Sequence, residues 1–185
     1  MIQDVLDDAT TRMNKAIEAL QHHLQGIRTG RAHPSLLDRI HVDYYGAPTP
    51  INQLASVNVP EPRTLVIQPY DKSSMGAIEK AILKSDLGIT PNSDGVVIRL
   101  GLPPLTEDRR KQLVKVVHQQ AEDAKVAVRN IRRDSQTQLK ELLKERSISE
   151  DQERSAQGKI DDFTKKHTDE IDKVSKAKEH EVLEV

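Results

Sequence analysis

The chain has 185 residues, with 28 Lys+Arg against 29 Asp+Glu, a net charge of −1, 31% charged residues and only 2% aromatic ones. That length suits one compact domain or two small ones, and no apolar run approaches the roughly 20 residues of a membrane span. The absence of cysteine excludes disulfides, thiol catalysis and thiolate metal sites. Met1-Ile2-Gln3-Asp4 lacks the basic-then-apolar pattern of a signal peptide, so a soluble cytoplasmic protein is expected.

Punctuation divides the chain. All nine prolines lie between Pro34 and Pro104, and after Pro104 the only breaker is Gly158. Helical outer segments and a middle of strands and turns are therefore expected. The first segment repeats apolar residues at Ile2, Leu6, Ala9, Met13, Ala16, Leu20, Leu24 and Ile27, one stripe of a helix. In the middle, Ile40 to Tyr44 alternates with period two and stops at Gly46. Leu54–Val59, Thr64–Gln68 and Val96–Leu100 read as further strands, Ser74–Leu87 as a short helix, and Pro91 to Gly95 as a turn.

A second long helix is expected from Glu107 to Arg146, capped by Thr106, with Glu107 and Asp108 in the first turn where carboxylates suit the dipole. At 1.5 Å per residue it would be about 60 Å long. Its stripe reads Val114, Val117, Ala121, Ala124, Val128, Ile131, Ser135, Gln138 and Leu142. A third helix opens with the capping box Ser149-Glu150-Asp151-Gln152 and carries Ala156, Ile160, Phe163, His167, Ile171, Val174 and Val182.

Three such stripes bury one another in a bundle. The expected architecture is α+β: a long three-helix bundle from residues 1–30 and 105–185, with a small β/α/β domain at 31–104 inserted on two short connectors.

Charge is unevenly spread. Residues 105–146 are net +4 and residues 147–185 net −4. Lys125, Arg129, Arg132 and Arg133 stack on one side of the second helix, and Lys125 through Arg133 contains no anion. Arg109, Arg110, Lys111 and Lys115 form a second group upstream, while Arg28 and Arg31 flank the end of helix one. Arginine forks bind phosphate oxygens in pairs, so the face suits a polyanion better than a solvated coiled-coil surface. With three Tyr and one Phe there is no aromatic platform for single-stranded bases. Phosphate contact with a structured RNA fits better.

Catalytic chemistry finds little support. No pair among the seven histidines has the spacing of a helical zinc site. The carboxylate pairs Asp7-Asp8 and Asp161-Asp162 are sequence neighbours on helices, not two groups facing one cleft. No glycine-rich phosphate loop occurs. The expectation is a non-enzyme with no catalytic residue, metal or cofactor. A helical adaptor or chaperone is the rival reading, and a hydrolase acting on RNA comes third.

Ile27-Arg28-Thr29-Gly30-Arg31-Ala32 with Pro34-Ser35-Leu36-Leu37 resembles the first signature of the ribosome recycling factors. Pro91-Asn92-Ser93, the run from Leu102 to Lys111, and Val126 to Asp134 resemble the later ones, in order. The likeness spans the whole chain. His33, where the family usually has a small polar residue, and Gly76 depart from it.

The resemblance implies an L-shaped molecule, similar in outline to transfer RNA. It would bind the post-termination 70S ribosome as a monomer, its bundle on large-subunit rRNA at the intersubunit bridges, and elongation factor G with GTP would drive subunit separation. It implies no membrane partner. The implied RNA contacts are Arg129 and Arg132, with Arg28, Arg31, Arg110 and Arg133 on the same surface and Lys125 joining them from the charge pattern. Thr29, Gly30, Pro103, Pro104 and Leu105 match the family's hinge.

Overall fold

The computed structural model describes residues 1–27 and 29–184 and is α+β. In chain order it runs α1 (Ile2–Gln25), β1 (His41–Tyr44), β2 (Ala47–Pro50), a single turn α2 (Ile51–Leu54), β3 (Ala55–Glu61), β4 (Thr64–Pro69), α3 (Met75–Lys84), β5 (Asn92–Ser93), β6 (Ile98–Gly101), α4 (Glu107–Lys144) and α5 (Glu150–Leu183). The residues form two compact units: Met1–Leu24 with Val114–His180, and Gln25–Leu113 with Glu181–Val185.

In the first unit α1, α4 and α5 bury their apolar stripes on one another. Met13 from α1, Val128 and Leu139 from α4, and Ile160 and Ile171 from α5 are completely enclosed. Polar contacts join every pair of helices. Arg12 Nη2 meets Asp134 Oδ2 at 3.0 Å between α1 and α4, and Lys125 Nζ meets Asp172 Oδ1 at 2.6 Å between α4 and α5. His167 of α5 reaches the Asn14 carboxamide of α1 at 2.8 Å.

The expected stripes need correction at single steps. The buried residues are Ile17 instead of Ala16, Leu113 instead of Val114, Leu139 instead of Gln138, Thr164 instead of Phe163, and Ser175 instead of Val174. Periodicity allows a step of three or four at each turn, and the neighbouring helices choose between them. Phe163 and Val174 are half-buried on the flanks of α5, whose core positions here are small and polar.

The helix ends follow local chemistry. Thr106 Oγ1 accepts the Arg109 N–H at 3.1 Å. The Ser149 box is complete, with Gln152 N–H donating to Ser149 Oγ at 3.1 Å and Ser149 N–H to Gln152 Oε1 at 2.9 Å. Helix α4 ends in a Schellman motif: Ser147 N–H reaches the Leu142 carbonyl, Arg146 N–H reaches that of Leu143, and Arg146 is left-handed with φ 59°.

In the second unit a four-stranded antiparallel sheet of order β3-β4-β6-β5 carries α3. Leu65 and Ile67 of β4 stand opposite Leu100 and Ile98 of β6, all fully buried, and Ile78 and Ile82 of α3 join the same core. Strand β2, which is not among the strands read from the sequence, contains Pro48 and Pro50, residues that strands admit only at edges. It pairs with β1 as a separate hairpin whose two-residue loop is Tyr45 (φ 51°) and Gly46 (φ 82°).

His33 has a plain role. Its Nδ1 accepts the Ser35 N–H at 3.1 Å and so caps a 3₁₀ turn at Pro34–Leu37, as a small polar oxygen would. Gly76 has open space around it, so nothing in the structure requires a glycine there.

Candidate nucleic-acid interface

On a helix turning about 100° per residue, Lys125, Arg129, Arg132 and Arg133 fall within a sector of about 100° on α4. The structure divides them into two kinds. Lys125 is tied to Asp172, and Arg129 Nη1 lies 3.2 Å from Glu122 Oε1, two turns back on the same helix. Arg132 and Arg133 meet no carboxylate within ion-pair distance among the described residues. Arg133 is exposed. Arg132 is half-buried, with its Nε enclosed and without a hydrogen-bond partner. Its stem is thus packed against the bundle while part of the side chain stays in water.

The Arg129–Glu122 pair is exposed, and such a pair contributes about 0–1 kcal/mol, so an incoming phosphate can displace that carboxylate at modest cost, whereas Lys125 is held half-buried beside Asp172. Arg132 and Arg133 need no displacement. Among the described residues they are the two cations of this face without a carboxylate partner.

Upstream, Arg110 occupies the first turns of α4, half-buried, with its Nε likewise enclosed and unpartnered. Lys111 pairs with Glu107 at 3.6 Å, and Arg109 Nη1 donates to Gln112 Oε1 at 3.2 Å. Arg110 and Arg31 belong to the second unit, whereas the Lys125–Arg133 group belongs to the first. Arg31 is exposed, its Nη2 3.5 Å from Glu184 Oε1. Arg28 lies outside the described residues.

Of the candidate hinge residues, Thr29 and Gly30 are half-buried, Pro103 and Pro104 exposed, and Leu105 buried. Thr29 Oγ1 closes a small turn, donating to the Arg31 carbonyl at 3.2 Å. A Cβ on Gly30 would make ordinary contact, 3.6 Å, with the Glu184 carbonyl oxygen.

Sequence reasoning passed over Arg12, Lys15 and Asn130. They line a groove of about 440 Å³ between α1 and α4, floored by Ala16, Ala127 and Ile131. Arg12 and Lys15 are three apart on α1, but only folding sets them against α4, more than 100 residues away in sequence. Among the described residues no group of three or more His, Asp or Glu is arranged to hold a metal ion, and no helix is long and apolar enough to cross a membrane.

A family model described as ribosome recycling factor matches residues 20–183. The ribosome-recycling factor of Thermomicrobium roseum is 54% identical and that of Bacillus subtilis 55%, each alignment covering 100% of both chains. A solution structure of a ribosome recycling factor superimposes with a TM-score of 0.82 at 42% identity, covering 100% of this chain and 98% of that one. A second structure describes the T. thermophilus ribosome recycling factor and the E. coli elongation factor G bound to the E. coli post-termination complex. It matches with a TM-score of 0.70 at 44% identity over 100% of both chains. With its full length matched and its fold shared, the chain belongs to the ribosome recycling factor family.

Proposed function

We propose that the chain is a translation factor that binds the post-termination ribosome and, with elongation factor G and GTP, separates the subunits so that mRNA and tRNA are freed. Family membership supports the ribosome as target. The observation that carries the RNA contact is the uncompensated pair Arg132 and Arg133 on a continuous 38-residue helix. Such a rod is stiff, so a push applied to the protein is transmitted to the intersubunit bridges instead of being lost in bending.

The chain performs no bond chemistry in this reading. Free energy comes from GTP on the partner, and the protein acts as a wedge held by its RNA-bound bundle. The inserted domain, residues 31–104, offers elongation factor G a surface and turns on Thr29–Gly30 and Pro103–Leu105. Support for that surface comes from Tyr45, Tyr70, Leu83 and Val96, which leave 84, 72, 60 and 51% of their area in water. Large exposed side chains of this kind are common at protein interfaces.

Sedimentation tests the proposal. The protein should comigrate with 70S ribosomes, and adding elongation factor G with GTP should convert the ribosome peak to free subunits. Comigration without splitting under those conditions would refute the wedge, and no comigration would refute ribosome binding.

A further inference from the structure

The shallow groove between α1 and α4 joins an apolar floor to a cationic and polar rim. Ala16 and Ala127 keep its floor low and apolar, and Ile131 closes it from below. The rim is cationic and polar: Lys15 and Arg12 on α1, Asn130 on α4.

Arg12 is already engaged, spanning Asp8 at 3.8 Å and Asp134 at 3.0 Å, and it closes one end. The Lys15 ammonium has no ion-pair partner and the Asn130 amide no hydrogen bond among the described residues. Two unengaged donors therefore face an apolar floor from opposite helices. Arg133, three residues beyond Asn130, is its neighbour on the helix surface, which makes the groove continuous with the basic face.

We infer that this groove receives one nucleotide of the bound RNA, its sugar and base against Ala16 and Ala127 and its phosphate on Lys15. The inference rests on the RNA-binding reading above and adds a second contact line, on the α1 flank, to the arginines of α4. The apolar floor takes any nucleobase, so the site contributes affinity and placement without sequence selectivity.

The test measures binding of the full chain to purified bacterial large ribosomal subunits. Lys15 is exposed on a helix, so Lys15→Ala leaves the fold intact. It should weaken binding about fivefold and lower the log–log salt slope by about 1, and Lys15→Arg should restore both. Ala127→Leu fills the groove without changing charge and should weaken binding by a similar factor. Lys159→Ala, an equal charge change on exposed α5, should stay within about twofold.

The absence of native cysteine allows a single Ala127→Cys thiol to carry a benzophenone. Irradiated on the large subunit, it should give an adduct destroyed by ribonuclease. A ribonuclease-resistant, protease-sensitive adduct would mean that a protein segment fills the groove and would overturn the inference, as would the absence of any adduct. If Arg132→Ala weakens binding while Lys15→Ala and Ala127→Leu do not, the groove falls and the RNA-binding reading stands. If none of the three has an effect, both fall.

Discussion

Lys125 Nζ stands 2.6 Å from Asp172 Oδ1, whereas Arg132, seven residues further along α4, meets no carboxylate within ion-pair distance among the described residues. Two cations that look equivalent in the sequence are therefore unequal in the folded bundle. Arg132→Ala should weaken ribosome binding by about 1–3 kcal/mol, the loss of a charge-assisted bond. Lys125→Ala should cost less, because Asp172 already competes for that ammonium. Asp172→Asn should tighten binding a few-fold by releasing it. Equilibrium binding of the three variants at one salt concentration decides, and an effect of Lys125→Ala as large as that of Arg132→Ala would contradict this ranking.

His167 is 3% exposed in the bundle core, its Nδ1–H donating to the Phe163 carbonyl at 2.6 Å while Nε2 meets Asn14. It links α5 to α1 by a polar contact that a shift in their register would break. His167→Ala leaves a cavity in the core and removes the link to α1, so it should destabilise the protein by about 2–4 kcal/mol. Urea unfolding with an unchanged m-value measures the loss. A shift below about 1 kcal/mol would show that the site collapses or hydrates freely.

Arg146 carries φ 59° at the end of α4, a conformation that costs an L-residue about 1–2 kcal/mol. Its backbone N–H and that of Ser147 complete the Schellman bonds, so the backbone geometry does the work. Arg146→Gly should raise stability by about 0.5–1 kcal/mol, after allowing for the greater freedom of glycine in the unfolded chain. Thermal unfolding of the pair of proteins would show it.

Asp94 turns the loop before β6. Its carboxylate accepts the N–H groups of Val97 and Val96, both at 2.9 Å, and the Arg99 guanidinium at 2.8 Å. These hold its pKa at about 2, below the ordinary 3.8, with the Val97 bond the largest cause. Because the folded value lies below the unfolded one, the stabilisation is present above about pH 4 and lost as the pH falls through about 2. Asp94→Asn should therefore be less stable than the parent protein at pH 6. The gap should narrow between about pH 4 and pH 2; a gap that stays constant over that interval would exclude the linkage.

Gly30 has no left-handed φ and only an ordinary contact at its Cβ position. Gly30→Ala should fold normally and gain about 0.4–1 kcal/mol by restricting the unfolded chain. If the connector turns during subunit separation, the same change should slow splitting while ribosome binding holds. Equal losses in binding and splitting would argue against a working hinge there.

The sequence alone determined what depends on near neighbours. Helix ends were legible at Thr106 and Ser149 because capping is chemistry within three residues. The α+β division was legible because proline and glycine confine the strands to the middle. The clustering of Lys125, Arg129, Arg132 and Arg133 was legible because helical geometry places residues three and four apart together. Long specific strings of residues carried the family likeness.

Tertiary structure decided whatever joins distant parts of the chain. It set Ile17 over Ala16 and Leu139 over Gln138, since which turn of a stripe is buried depends on the facing helices. It gave Lys125 and Arg12 their carboxylates, Asp172 and Asp134, from other helices, and left Arg132 and Arg133 without one among the described residues. It also put Lys15 opposite Asn130 across a floor of alanines. Periodicity assigns a residue to a face, but charge compensation and concavity are properties of pairs of elements, and those pairs exist only after folding.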